Sequence, residues 1–315
     1  MNNVGYNKNL FILPFDHRSS FEKGMFGITG RKPNSEETKQ IIETKKIIYE
    51  AFKKSVSNGI SKEEAAILVD EQYGDEILHD AHNHSFITLL TTEKSGQKEF
   101  AFEYGNDFGK HIEKYKPTFA KALIRYNPQD QEQSKTQQQK TLKILSDYCH
   151  NNRYKFLLEV LIPRINTPDT STSDGGEATT STPPRWTLYD KDVQPELAVK
   201  VIEELQNAKV EPDVWKLEGL TSVKGYKAIV NQARTEHNQV GIVVLGRAAE
   251  MKQVEEWILV GATVKGVIGF AVGRTVFWQP LVNFKNGKIT REKAIELISD
   301  NFLHFYKIFV ANSYS

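Results

Sequence analysis

The chain has 315 residues, and 41 Lys and Arg against 40 Asp and Glu leave a formal charge of +1. That balance lacks the basic excess of a nucleic-acid-binding protein, and no apolar run nears the roughly 18 residues of a membrane helix. A single cysteine, Cys149, excludes an internal disulfide, and residues 1–9 lack a basic-then-apolar signal layout, so the expectation is a soluble cytoplasmic protein.

Short apolar runs recur along the chain at Leu10–Phe15, Ala65–Val69, Phe86–Leu90, Ala120–Ile124, Phe156–Ile162, Val214–Leu217, Gly241–Leu245 and Gly266–Val272. Continuous apolar runs of this length read as strands covered on both faces, the signature of a parallel sheet. Between them lie helical patterns. Asn34 and Glu37 have capping-box spacing, and Ile41, Ile48, Phe52 and Val56 follow as one apolar stripe ending at Gly59. Further helices are predicted over Phe108–Tyr115, Gln138–Asn151, Glu196–Asn207, Val223–Glu236, Ala248–Val260 and Arg291–Phe309, with a short Glu76–Ala81 turn between the second and third strands. Strict alternation of strand and helix, eight times over, predicts an α/β fold of the (β/α)8 barrel type in preference to an open doubly wound sheet. One barrel is expected over residues 1–315. Its fifth strand-to-helix loop carries an insertion, Thr167–Pro184, with no large apolar residue; a plain insertion is the first reading of it and a substrate lid the second.

Barrel enzymes place reactive groups at the C-terminal ends of their strands. Asp16, His17 and Arg18 end the first run, Asp70 and Glu71 the second, Glu93 and Lys94 the third. Lys121 and Arg125 sit in the fourth, Glu159 in the fifth, Lys216 and Glu218 in the sixth, and Gly246-Arg247 and Gly273-Arg274 follow the seventh and eighth. Lys121, Glu159 and Lys216 lie within strands, where a charge is costly unless paired or neutralised. A buried ion pair or an outward, snorkelling lysine would account for any one of them; three together suggest chemistry. A lysine attacks a carbonyl as the free amine, about 0.04% of it at pH 7 for a reference pKa of about 10.4. A neighbouring ammonium and burial would enlarge that fraction, with Glu159 then protonated and able to expel water from a carbinolamine. The expected chemistry is a Schiff base at a ketone. The two Gly-Arg strand ends suggest an anion site, since glycine admits backbone N–H groups and arginine adds a charged fork. His79, His82 and His84 match no common zinc spacing, so no metal is expected there.

At these residues the chain resembles the class I aldolase barrels of the tagatose-1,6-bisphosphate aldolase type, and more closely the 2-deoxy-5-keto-gluconate 6-phosphate aldolases of myo-inositol breakdown. The similarity runs from Leu10 to Trp278 through PFDHR (Pro14–Arg18), ILVDEQYG (Ile67–Gly74), EKSG (Glu93–Gly96), LIRYNP (Leu123–Pro128), FLLEVL (Phe156–Leu161), WKLEG (Trp215–Gly219) and GFAVGRTVFW (Gly269–Trp278). The resemblance implies Lys216 as the Schiff-base lysine, Glu159 as acid/base, Lys121 as a second active-site lysine, and Asp16 as a residue positioning substrate hydroxyls. Gly273 and Arg274 match the phosphate-binding end of the eighth strand. The seventh-strand turn, with Gly246 and Arg247, departs from the serine-containing turn of the tagatose type, which favours the inositol-pathway family. The implied reaction is metal-free and cofactor-free cleavage of 2-deoxy-5-keto-gluconate 6-phosphate, a phosphorylated keto-sugar acid, to dihydroxyacetone phosphate and malonate semialdehyde. Its carboxylate would need a further cation, with Arg18, Arg125 and Arg164 as candidates. A ketose 1,6-bisphosphate aldolase and a sugar-phosphate-binding barrel without turnover are the alternatives. Barrels of this type often associate, so a homo-oligomer is also expected, with no nucleic-acid or membrane partner.

Overall fold

The structure, a computed structural model, describes residues 4–163 and 194–313; the Thr167–Pro184 insertion and Arg164 lie outside the described residues. Each apolar run forms a strand: β1 (Leu10–Pro14), β2 (Ala65–Val69), β3 (Ile87–Thr91), β4 (Phe119–Arg125), β5 (Lys155–Leu161), β6 (Val214–Glu218), β7 (Gly241–Leu245) and β8 (Val267–Ala271). All pair in parallel with their sequence neighbours, and β8 pairs with β1, closing the sheet into a (β/α)8 barrel. Continuous apolar strands suit this closure because both faces are covered. Residues such as Leu10, Ile12, Leu89, Phe119, Leu157 and Val243 point inward as one core, and the alternate residues pack outward under the helices. At the N-terminal end of the barrel the ring of Tyr6 meets Phe119 edge-on at 5.1 Å. There Gly5 donates its N–H to Asp213 Oδ1 at 2.8 Å, tying the N-terminal segment to the start of β6.

The helices are α1 (Ser19–Phe26), α2 (Ser35–Ser57), α3 (Glu71–Asn83), α4 (Phe108–Tyr115), α5 (Glu132–Asn151), α6 (Gln194–Asn207), α7 (Val223–Ala233), α8 (Met251–Ala262), α9 (Arg274–Lys285) and α10 (Arg291–Asn312). The expected capping box opens α2, with Asn34 and Glu37 bonded reciprocally. Several elements differ from the sequence reading: α1 was not anticipated, and α5 begins at Glu132 rather than Gln138. The expected turn at Glu76–Ala81 is a full helix, α3, because the Asp70 side chain caps it by accepting the Tyr73 N–H at 2.9 Å. The helix after β7 starts at Met251 rather than Ala248, since Arg247 (φ 47°) and Ala248 (φ 56°) both take the left-handed conformation. Helix α9 was not anticipated, its pattern being obscured by Pro280 inside the helix. No described helix is long and apolar enough to cross a membrane.

Closure of the barrel requires the β8 backbone to pass very near β1. A Cβ at Gly269 (φ 155°) would lie 2.0 Å from the Leu10 carbonyl oxygen, and one at Gly273 would lie 2.2 Å from that of Pro14. Gly269→Ala is therefore expected to cost more than about 2 kcal/mol, read as a lower midpoint in urea denaturation. An unchanged midpoint would mean that the seam can separate without loss.

Candidate active site

The inward side of the strands carries the chemistry. Counting in steps of two from interior core residues leads from Ile12 to Asp16, from Leu89 to Glu93, from Phe119 to Lys121, from Leu157 to Glu159 and from Val214 to Lys216. These five side chains meet at the C-terminal mouth. Lys121 Nζ donates to Glu93 Oε1 at 2.6 Å and Asp16 Oδ2 at 3.0 Å, and lies 3.1 Å from Glu159 Oε2. The same Glu159 oxygen accepts from Lys216 Nζ at 2.9 Å. Glu159 and Lys216 are register partners across β5 and β6, which fixes this contact through the sheet itself. With Lys121 1%, Lys216 2% and Glu159 5% exposed, the charges are compensated by one another rather than by water.

The two lysines are thus brought together, but with a carboxylate between them. Burial alone would lower the Lys121 ammonium; Asp16, Glu159 and Glu93 outweigh it and hold the group well above the usual lysine range. Burial likewise opposes ionisation of Glu159 and Asp16, yet the two lysines, Lys121 foremost, hold both below the usual carboxylate range. Two expectations are corrected here. Lys121 is not made easier to deprotonate by a neighbouring ammonium, and Glu159 rests as the carboxylate rather than the acid. Lys216 contacts one carboxylate among the described residues and Lys121 three, so Lys216 is the amine with freedom to leave its partner.

The anticipated cations fall into two groups. Arg274 opens α9 at the mouth and forms no hydrogen bond or ion pair among the described residues. Burial, aided by nearby Arg247, pushes its guanidinium down, although Glu159 acts in the opposite sense. Arg247, following Gly246, pairs with Glu218, which also accepts from Gln194 Nε2 at 2.9 Å. Arg18 and Arg125 differ from the expectation for a substrate-carboxylate ligand. Arg18 is buried and clamps the segment after β3, donating to Glu103 Oε2 at 2.8 Å and the Glu93 carbonyl at 2.6 Å. Arg125 donates to the Gln97 carbonyl at 3.2 Å.

Residues named at strand ends but given no role from the sequence complete the mouth. Glu93 is one, recoverable from strand parity alone. His17 is another: burial first, then the repulsion of Arg274, Lys216 and Lys45, lowers its imidazole to about 3, against the opposing pull of Asp16. Behind it, Lys45 of α2 donates to the His17 carbonyl at 2.9 Å and pairs with Asp70, both side chains being 0% exposed. Lys45 interrupts the apolar stripe of α2, four residues after Ile41 and three before Ile48, a charge on a buried face that the sequence reading passed over. His79 and His82 lie exposed on α3, and His84, also exposed, ends it. Among the described residues, the one convergent set of metal-ligand types is Glu211, Glu236 and His237, at the opposite end of the barrel.

Lys121→Met would leave three carboxylates around an apolar chain and is expected to cost about 3–5 kcal/mol. Lys216→Met leaves Glu159 paired with Lys121 and should cost clearly less; equal costs in chemical denaturation would show that Lys121 is not the centre of the network. His17 gives a pH signature. Its folded pKa lies below its unfolded value of about 6.5, so the unfolded chain binds the proton more readily. Stability is then full above that value and falls as pH drops towards about 3. The unfolding free energy of His17→Gln should vary less than that of the unaltered protein between pH 6.5 and about 5, above the range where carboxylates of the unfolded chain protonate.

The backbone superposes on fructose-bisphosphate aldolase of Plasmodium falciparum with a TM-score of 0.64 at 12% identity, covering 99% of this chain and 93% of that one. It also superposes on Cgl0159 of Corynebacterium glutamicum with a TM-score of 0.58 at 12% identity, covering 96% and 88%. At such identity these likenesses establish the barrel alone. No curated protein matches the sequence significantly. Residues 2–178 and 182–312 match the family described as "Uncharacterized protein conserved in bacteria (DUF2090)", and the chain belongs to that family.

Proposed function

We propose that the protein is a Schiff-base aldolase that cleaves a phosphorylated ketose and releases dihydroxyacetone phosphate. The observation that carries this reading is the buried Lys216–Glu159–Lys121 chain lying beside the Arg274 guanidinium, which has no hydrogen-bond or ion-pair partner among the described residues. A nucleophile, a proton carrier and an anion site occupy one mouth. The barrel relative from Plasmodium falciparum, itself a fructose-bisphosphate aldolase by name, is consistent with this reading.

Each residue then has a task. Arg274, the N–H groups at the start of α9 and, behind them, Arg247 hold the phosphate. Lys216 passes a proton to Glu159 along their 2.9 Å hydrogen bond, and the free amine adds to the ketone carbon. Glu159 returns that proton to the carbinolamine oxygen, water leaves, and an iminium remains. Glu159 next takes the proton of the hydroxyl two carbons from the iminium carbon. The intervening carbon–carbon bond breaks, its electron pair enters the iminium to give an enamine, and the aldehyde departs. Protonation of the enamine carbon by Glu159 and addition of water release the ketone and restore Lys216. Lys121 stays an ammonium throughout, steadying the oxygen that loses its proton, while Asp16 positions substrate hydroxyls.

Borohydride trapping with dihydroxyacetone phosphate, read by intact mass and peptide mapping, tests this. A reduced adduct on Lys216 is expected, and none in Lys216→Met. An adduct on Lys121 would reverse the two lysines. Absence of any adduct, with binding shown separately, would leave a sugar-phosphate-binding barrel without turnover. Arg274→Ala is expected to raise the half-saturating concentration for trapping by about 10–100-fold, the loss of one charge-assisted contact.

A further inference from the structure

Resting on that reading, we infer that the half of the substrate released as aldehyde is uncharged and hydroxyl-bearing, and that Glu93 is the residue that recognises it. In a closed eight-stranded barrel, β3 and β4 stand across the mouth from β7 and β8. A substrate with its phosphate at Arg274 and its ketone at Lys216 therefore extends its remaining carbons towards Glu93. That wall is acidic. Asp16, Glu93 and Glu159 share the one ammonium of Lys121, and Arg18 is paired with Glu103; Arg125, further along β4, donates to the Gln97 carbonyl and keeps its charge. A carboxylate arriving there, such as that of malonate semialdehyde, meets like charge where water screens it poorly.

Glu93 has the opposite affinity for a hydroxyl. Its Oε1 accepts from Lys121, but its Oε2 is buried with no hydrogen-bond partner among the described residues. A buried acceptor in that state is costly, and a substrate O–H supplies the missing donor. The residue is also held in place for the task. The Arg18 guanidinium grips its carbonyl, and a backbone bridge to Phe102 fixes the segment beyond β3. A site built to bind a hydroxyl discriminates strongly against an analogue lacking it.

The test runs the reaction in the aldol direction, with dihydroxyacetone phosphate and a panel of acceptors: glyceraldehyde, propionaldehyde and malonate semialdehyde. Glyceraldehyde is expected to exceed both others in kcat/KM by at least about 100-fold. In Glu93→Gln an amide NH2 takes the place of the free oxygen and cannot accept a hydrogen bond. The amide can still donate to the hydroxyl oxygen, so the glyceraldehyde-to-propionaldehyde ratio should fall without reaching one. Borohydride trapping of dihydroxyacetone phosphate needs no acceptor and is measured alongside. An adduct on Lys216 combined with a preference for malonate semialdehyde, with equal rates on all three, or with a ratio unchanged in Glu93→Gln overturns this inference alone. No adduct in the unaltered protein overturns the Schiff-base reading and this inference with it.

Discussion

The organisation of the mouth depends on one constraint: an ammonium, Lys121, buried inside a parallel barrel. Such a charge persists only where opposite charges replace its lost hydration. Three strands other than its own supply them, through Asp16, Glu93 and Glu159, and Glu159 in turn holds Lys216. The resulting network draws together β1, β3, β4, β5 and β6. The Lys45–Asp70 pair extends the same principle behind it, joining α2 and the cap of α3 to the β1 terminus through the His17 carbonyl.

Compensation explains why two chemically identical side chains are not equivalent. Lys121 is surrounded by carboxylates and stays charged, whereas Lys216 rests on one of them and occupies the better place for a nucleophile. Glu159 lies between the two, and its single oxygen, shared by both amines, provides a short path for a proton. The opposite side of the mouth has the reverse character. Arg274, at the head of α9 and beside Arg247, is a buried guanidinium with no ion-pair partner among the described residues. Positive and negative walls facing one another across a barrel impose a direction on whatever binds between them.

Much of the fold was legible because strand signals in a parallel barrel are strong. Runs such as Ala65–Val69 and Gly241–Leu245 match their strands end to end, since burial on both faces leaves no polar interruption. Helices whose ends depend on a particular side chain were less legible. Asp70 capping α3 and the left-handed pair Arg247–Ala248 are local events that periodicity does not record. At the site, Lys121, Glu159 and Lys216 stood out because a charge inside an apolar strand is anomalous in any context. Glu93 and His17 did not, because polar residues just beyond a strand are ordinary.

The sequence by itself therefore determined the barrel, the presence of charges within its strands and the concentration of reactive groups at one end. The tertiary structure alone decided how those charges are partnered: that a carboxylate separates the two lysines, that Arg18 and Arg125 hold loops, and that Arg274 has no ion-pair partner among the described residues. The physical reason is range. Strand and helix follow from neighbours along the chain, whereas the partnering of a buried charge depends on side chains separated by tens to hundreds of residues. Lys121 and Asp16, 105 positions apart, meet only after the barrel has closed.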